Sequence, residues 1–196
     1  MPRLQPLPPE TTPELKDHFD FFLGTLGFTP NSVLTMQRKP KLVRAFAQLN
    51  GAVMDPQGAV DLGFRRLIGH VVSKVSGCLY CQAHTLLGAH NFGVSDAKLA
   101  DVWTYASSPL YSVRERLAMD FALAASSQPN AVTDAQFAEL QKHWSDGEIT
   151  EILGVVAMFA FLNRWNDTMA TPLEVPAIAV ADKALGAQGW DIGKHT

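Results

Sequence analysis

Helix-start signals recur along this chain, and no convincing strand pattern stands between them. Thr11-Thr-Pro-Glu14, Ser112-Val-Arg-Glu115, Thr133-Asp-Ala-Gln136 and Ser145-Asp-Gly-Glu148 share one pattern, a hydroxyl followed three residues later by Glu or Gln. At that spacing each side chain satisfies a free backbone N–H of the other residue, which marks a helix N-terminus. Ser95-Asp96 is a plainer N-cap. Apolar residues then recur at three and four: Leu99, Val102 and Trp103; Leu117, Phe121 and Ala124; Ile152, Val155, Val156 and Phe159. Gly27-Phe-Thr-Pro30, Lys39-Pro40, Met54-Asp-Pro56, Gly93, Ser108-Pro109, Gln128-Pro-Asn130 and Thr171-Pro172 break the segments. The pattern predicts an all-α fold of about eight to ten helical segments joined by short loops, as one domain over residues 1–196. The proline-rich first nine residues are expected to be extended, and the tail after Gly186 to be loosely held.

A length of 196 residues supports a sizeable core, and 47% hydrophobic against 18% charged residues is an ordinary soluble composition. A net charge of -3 leaves no basic footprint for nucleic acid. The tryptophans and phenylalanines are scattered, without the interleaved basic residues of a base-stacking surface. The longest apolar run, Ile152 to Leu162, is too short to span a bilayer, so no membrane partner is expected. The first ten residues lack the apolar stretch of a secretory signal. The expected location is therefore cytoplasmic. There a disulfide is usually transient, which gives weight to the chain's two cysteines.

Both cysteines lie in Gly77-Cys78-Leu79-Tyr80-Cys81-Gln82-Ala83-His84-Thr85, a C-x-x-C with a histidine three residues later. Residues 61–76 read as one helix, interrupted at Ser76-Gly77, with a second over about Leu79 to Asn91. Cys78 then sits at a helix N-terminus, where free N–H groups and the helix dipole stabilise a thiolate. The alternative is a single bent helix containing Gly77. On a helix, Cys78 faces Cys81 and Cys81 faces His84. Cys78 and His84 are six residues, roughly 9 Å, apart along the axis. His84 therefore serves Cys81, as a base or as an ion-pair partner, and Cys78 is the natural resolving thiol. Two inert thiols are one competing reading. A zinc site is another, but Cys78, Cys81 and His84 fall one ligand short of the usual four, and neither His70 nor His90 completes a known spacing. No metal and no cofactor are expected. Gly-Ala-Gln-Gly near the C-terminus lacks the strand–helix context of a nucleotide loop.

These residues resemble the alkylhydroperoxidase D-like group of the carboxymuconolactone decarboxylase superfamily. The resemblance rests on helix, small-residue break, Cys78-Leu-Tyr-Cys81 and a nearby histidine. Gly27-Phe-Thr-Pro-Asn31, Gly93-Val-Ser95 and Asn163-Arg-Trp-Asn-Asp167 extend it over most of the chain, the last resembling the peroxidase-related members. The resemblance implies an all-α homo-oligomer that reduces hydroperoxides through a disulfide cycle. Electrons would come from a dithiol partner, a lipoylated or thioredoxin-like protein. Cys81 would be peroxidatic, Cys78 resolving and His84 the base, in agreement with the helix geometry.

Two positions depart from the family pattern. The family histidine usually lies four residues after the second cysteine, where this chain has Thr85. The family glutamate usually lies twelve residues before the first cysteine, where this chain has Arg66. Arginine cannot relay protons at neutral pH but can stabilise a thiolate. The plainer reading of Arg65-Arg66 is a solvated helix face. His70, one turn after Arg66, is the nearest other titratable group and a possible auxiliary. Asn163 and Asp167 read as structural polar contacts. Two alternatives to a peroxidase stand: the superfamily's cofactor-free decarboxylase chemistry, and a non-catalytic redox-sensing oligomer. The apolar segment Pro172 to Ala181 is a candidate subunit contact or an internal packing element.

Overall fold

Capping chemistry sets most helix boundaries in the computed structural model, which describes all 196 residues and contains only helices, turns and loops. Ten α-helices follow in order: α1 Lys16–Leu26, α2 Asn31–Met36, α3 Pro40–Val53, α4 Leu62–Val75, α5 Leu79–Asn91, α6 Asp96–Ala100, α7 Val113–Ser126, α8 Asp134–Gln141, α9 Asp146–Met169 and α10 Val175–Leu185. Ser112 and Ser145 form reciprocal capping boxes with Glu115 and Glu148. Thr133 and Ser95 each accept one N–H, from Gln136 and Lys98. The Thr11 signal fails. Residues 9–15 form two short 3-10 turns opened by proline, and α1 starts only at Lys16. Thr12 precedes Pro13, and that position is pushed out of the helical region, so the box cannot close.

The centre of the molecule is the α4–α5 hairpin. Every residue from Gly63 to Ser73 of α4 and from Tyr80 to Ala89 of α5 is buried. α5 shows little one-sided apolar patterning, because all its faces are covered. The hairpin turns at Gly77, whose φ of +68° suits glycine alone at low cost. α4 and α9 approach closely at Gly69, where an added Cβ would lie 2.5 Å from the Phe159 ring of α9. Alanine there would force apart the two helices that flank the thiols.

The other helices wrap this hairpin around one core of 42 buried residues. α10 packs along α5, with Ala177, Ala181 and Leu185 buried against it. One face of the segment Pro172 to Ala181 thus packs on its own domain, while Val175 stands exposed. The Arg65-Arg66 reading as a solvated face is also overturned, since both side chains are buried in the hairpin. The tail departs from expectation too. Trp190 and His195 are buried, and the His195 carbonyl accepts from the Leu173 N–H at 2.8 Å. Two large side chains removed from water hold the segment more firmly than its glycines suggest. No helix is long and apolar enough to cross a membrane.

Candidate functional site

Cys78 is the N-cap of α5, and its Sγ accepts the backbone N–H of Cys81 at 3.4 Å. The sulfur replaces the usual capping hydroxyl, so the first thiol sits where helix N–H groups favour negative charge. Cys81, one turn on, is 2% exposed, and its Sγ accepts from Asn166 Nδ2 of α9 at 3.4 Å. Burial, and then the neighbouring Cys78 sulfur, push the Cys81 thiol well above its ordinary value, with Asn166 pulling the other way. Cys81 therefore rests as a neutral thiol. Both cysteines are free thiols.

Access separates the two thiols. Cys81 lines a narrow cavity of about 40 Å³, together with Tyr80, His84, Asn166, Arg66 and a surround of aromatic and aliphatic side chains. Cys78 does not line it. A wider cleft of about 470 Å³ lies against Val72, Ser76, Asn163 and Asp167, but no thiol faces it. Of the two, only the narrow cavity has a thiol in its wall.

His84 lies on the cavity wall but makes no hydrogen bond to Cys81. Its Nε2 is 2.5 Å from Oε2 of Glu174, the residue that precedes α10. The other Glu174 oxygen accepts from the Asn31 backbone N–H at 2.5 Å and the Tyr80 hydroxyl at 3.0 Å. Burial raises the Glu174 carboxyl, but the charge and hydrogen bond of His84 and then the backbone N–H groups, that of Asn31 first, outweigh it and hold the carboxyl below its ordinary value. Glu174 is thus an ionised partner for the imidazole. Tyr80 stacks on the His84 ring at 4.3 Å. Burial, then the Glu174 charge, hold its phenol well above the usual range, so it stays a hydrogen-bond donor. Glu174 was not legible as a site residue, since its partner lies 90 positions away. The only local signal was Glu-Val-Pro, a helix start with proline at the second helical position.

His70 has a different environment. Trp103 Nε1 donates to its Nε2 at 2.9 Å, and its Nδ1 faces the Gln82 carbonyl at 3.2 Å and Thr85 Oγ1 at 3.1 Å. Burial lowers its pKa to about 4. It is a neutral, doubly bonded cross-link between helices and lies outside the cavity. Thr85, at the usual family histidine position, belongs to this same network and donates to the Cys81 carbonyl.

Cys78, Asp167 and His195 bring one ligand atom each to within 4.8 Å of one another. Asp167 is paired with Lys194 at 2.8 Å, and one His195 ring nitrogen is bonded to the Thr171 carbonyl. That donor set is partly engaged and lies on the Cys78 side. His195 was not legible as a neighbour of the thiols, because the tail carries no helical period.

Residues 40–125 match the carboxymuconolactone decarboxylase family. Among curated proteins, the uncharacterized protein YnjA of Escherichia coli (strain K12) is 32% identical over 116 residues, which span 59% of this chain and 63% of YnjA. Among solved structures, the debrominase Bmp8 is 31% identical with a TM-score of 0.86, covering 92% of this chain and 97% of that one. A cysteine-to-alanine variant of Bmp8 has been solved with 2,3,4-tribromopyrrole, and it superposes with a TM-score of 0.87 at 30% identity over 92% of this chain and 96% of that one. The alkylhydroperoxidase D core of a peroxidase-related protein from Ralstonia eutropha JMP134 shares the fold, with a TM-score of 0.78 at 24% identity over 89% of this chain and 94% of that one.

Proposed function

We propose that the chain, whose residues 40–125 belong to the carboxymuconolactone decarboxylase family, is a thiol-dependent oxidoreductase that reduces hydroperoxides. One observation carries the reading: Cys81 and the Glu174-paired His84 share one cavity, with a second thiol one helical turn behind.

A hydroperoxide in that cavity bridges the two groups that do not touch each other. The Cys81 proton passes by way of the bound hydroperoxide to His84, and the Cys81 sulfur attacks the outer peroxide oxygen. The S–O bond forms as the O–O bond breaks. His84, held by Glu174, supplies the proton that lets the alkoxide leave as an alcohol. Cys81 is then a sulfenic acid. The Cys78 sulfur, stabilised by the α5 N-terminus, attacks it, the S–S bond forms and water departs. A dithiol partner returns two electrons and two protons to the pair. Glu174 supplies the carboxylate that the residue at position 66 lacks.

The test is a thiol titration of the reduced protein before and after one equivalent of cumene hydroperoxide, with mass spectrometry on the product. Formation of a Cys78–Cys81 disulfide within seconds is expected. Two free thiols after several minutes would reject the peroxidase reading.

A second reading is favoured by the likeness to Bmp8 along nearly its whole length. The same thiol pair can reduce a carbon–halogen bond. Cys81 sulfur takes the halogen, His84 protonates the carbon left behind, and Cys78 displaces halide to close the disulfide. Bromide release from 2,3,4-tribromopyrrole under dithiothreitol, with no turnover of cumene hydroperoxide, would favour this chemistry.

A further inference from the structure

Two buried arginines stand side by side on α4 and are treated differently by the fold. Arg65 Nη1 donates to the carbonyls of Val53 and Asp55 at 3.0 and 2.9 Å, and its Nη2 lies 3.1 Å from a Glu151 carboxylate oxygen. The Nη2 contact is an ion pair without the alignment of a hydrogen bond, and it still balances the charge. Arg66, 8% exposed, has no carboxylate partner and donates no hydrogen bond to the protein. Its one electrostatic neighbour is the Phe92 ring, 5.9 Å away. Burial lowers its pKa only to about 10, so it stays cationic at neutral pH. An isolated buried charge is costly and is normally paired.

The space around Arg66 has been cleared for it. A Cβ at Gly88 would lie 2.8 Å from Arg66 Cδ and 2.9 Å from Nε, so the stem crosses α5 where only glycine leaves room. The side chain then lines the same cavity as Cys81 and His84. Gly88 is seven residues from Cys81 along α5, about 10 Å. Just over half of the lining is apolar, Phe22, Leu26, Phe46, Phe159 and Leu162 among it, and it contains no carboxylate.

We propose that Arg66 is the anion subsite of the Cys81 cavity, so that the substrate is a slender apolar molecule with a carboxylate at one end and its reactive atom at the other. The ligand's carboxylate supplies the partner that the protein withholds, and a guanidinium fork suits it in two-point contact. The location of the reactive end rests on the thiol chemistry proposed above. The carboxylate preference does not, and it is measured by binding alone.

The experiment uses the Cys81→Ser protein, which cannot turn over, and titrates it calorimetrically with hexanoate and with hexan-1-ol. Hexanoate is expected to bind at least tenfold more tightly. Arg66→Met, with its melting temperature checked, should erase the preference. Arg66→Lys should reduce it several-fold, since a point charge replaces the fork, and this variant carries the test if Arg66→Met does not fold. Equal affinity for the two probes in the arginine protein, or an unchanged preference in either variant, would overturn the subsite. Turnover is then compared for a short hydroperoxide that carries a terminal carboxylate and for its methyl ester. A binding preference without turnover of either compound would remove the peroxidase reading and leave the subsite standing. Turnover of both at equal rates, without a binding preference, would do the reverse.

Discussion

Helix α5 divides two polar networks built from similar parts. On one side His70 is locked between Trp103, Gln82 and Thr85. On the other, His84 is paired with Glu174 beside the cavity that Cys81 lines. Both imidazoles are buried, but the first has each nitrogen satisfied by a neutral partner. Another proton has no acceptor there, so the ring stays uncharged and acts as a cross-link. The second faces an ionised carboxylate and can take a proton and give it back. Residue type and burial do not separate the two roles. The charge of the partner, and what lies beyond the ring, do so.

The sharpest way to break this comparison is to remove the group the reactive side exists to serve. Cys81→Ser is expected to lower hydroperoxide turnover by roughly a thousandfold or more, because loss of a nucleophile removes the covalent route. Its melting temperature should change little, since the hydroxyl can still accept from Asn166. Steady-state assay beside a thermal melt checks both. Parent-like turnover would mean that the cavity thiol is a bystander.

Next comes the closed side, whose signature is stability against pH. Burial depresses His70 to about 4, against an ordinary value of about 6.5 in the unfolded chain. Between those values the unfolded state binds more protons, so stability is complete above pH 6.5 and is lost as pH falls toward 4. The shift corresponds to roughly 3 kcal/mol. His195, also lowered by burial, contributes with the same sign. Urea titrations at pH 7, 5.5 and 4.5 should show a decline that His70→Asn makes shallower, at the cost of lower stability at pH 7. An identical slope in the variant would show that His70 does not carry the effect.

How these networks were legible differs in physical kind. The α5 bounds, the Gly77 turn and the capping boxes at Ser112 and Ser145 come from contacts within four residues, and such contacts leave local patterns. The pairing of Cys78 and Cys81 on one turn is of the same kind. Glu174 reaches His84 across 90 positions, and Asn166 reaches Cys81 across 85, so neither leaves a local trace. Arg66 is the instructive failure. Arg65-Arg66 looks like a solvated face, because a charged pair is usually exposed, and only the packing of α5 at Gly88 and of the helices around it reverses this. The substitution at the usual glutamate position was visible; that Glu174, just before α10, brings a carboxylate to His84 was not.

Glu174→Gln then sharpens the reactive side. It keeps size and one hydrogen bond but removes the charge that supports His84. Turnover should fall about a hundredfold, the low end of what positioned acid–base groups contribute. The acid limb of its pH profile should also change, because the Glu174 carboxyl, held below its ordinary value beside His84, no longer titrates. Trp103→Phe offers the contrast, lowering stability by about 1–3 kcal/mol through an unpaired His70 nitrogen while leaving turnover within a few-fold. If the two variants exchanged phenotypes, the division across α5 would be wrong.

The smallest expected effect tests whether Tyr80 works through its ring or its hydroxyl. Tyr80→Phe keeps the stack on His84 and deletes the bond to Glu174. Two donors, the Asn31 N–H and His84, still hold the carboxylate. One lost hydrogen bond at a charged acceptor is worth about 1.5–3 kcal/mol at most, and redundancy should keep the change in kcat to a few-fold. The shift should appear mainly as a small rise in the pKa of Glu174, since one of the donors that favour its charged form is gone. Carbon-13 NMR of the labelled carboxyl groups reads that rise directly. A loss of turnover as large as that of Glu174→Gln would instead place the phenol in the proton path and make Tyr80, not Glu174, the nearer partner of the chemistry.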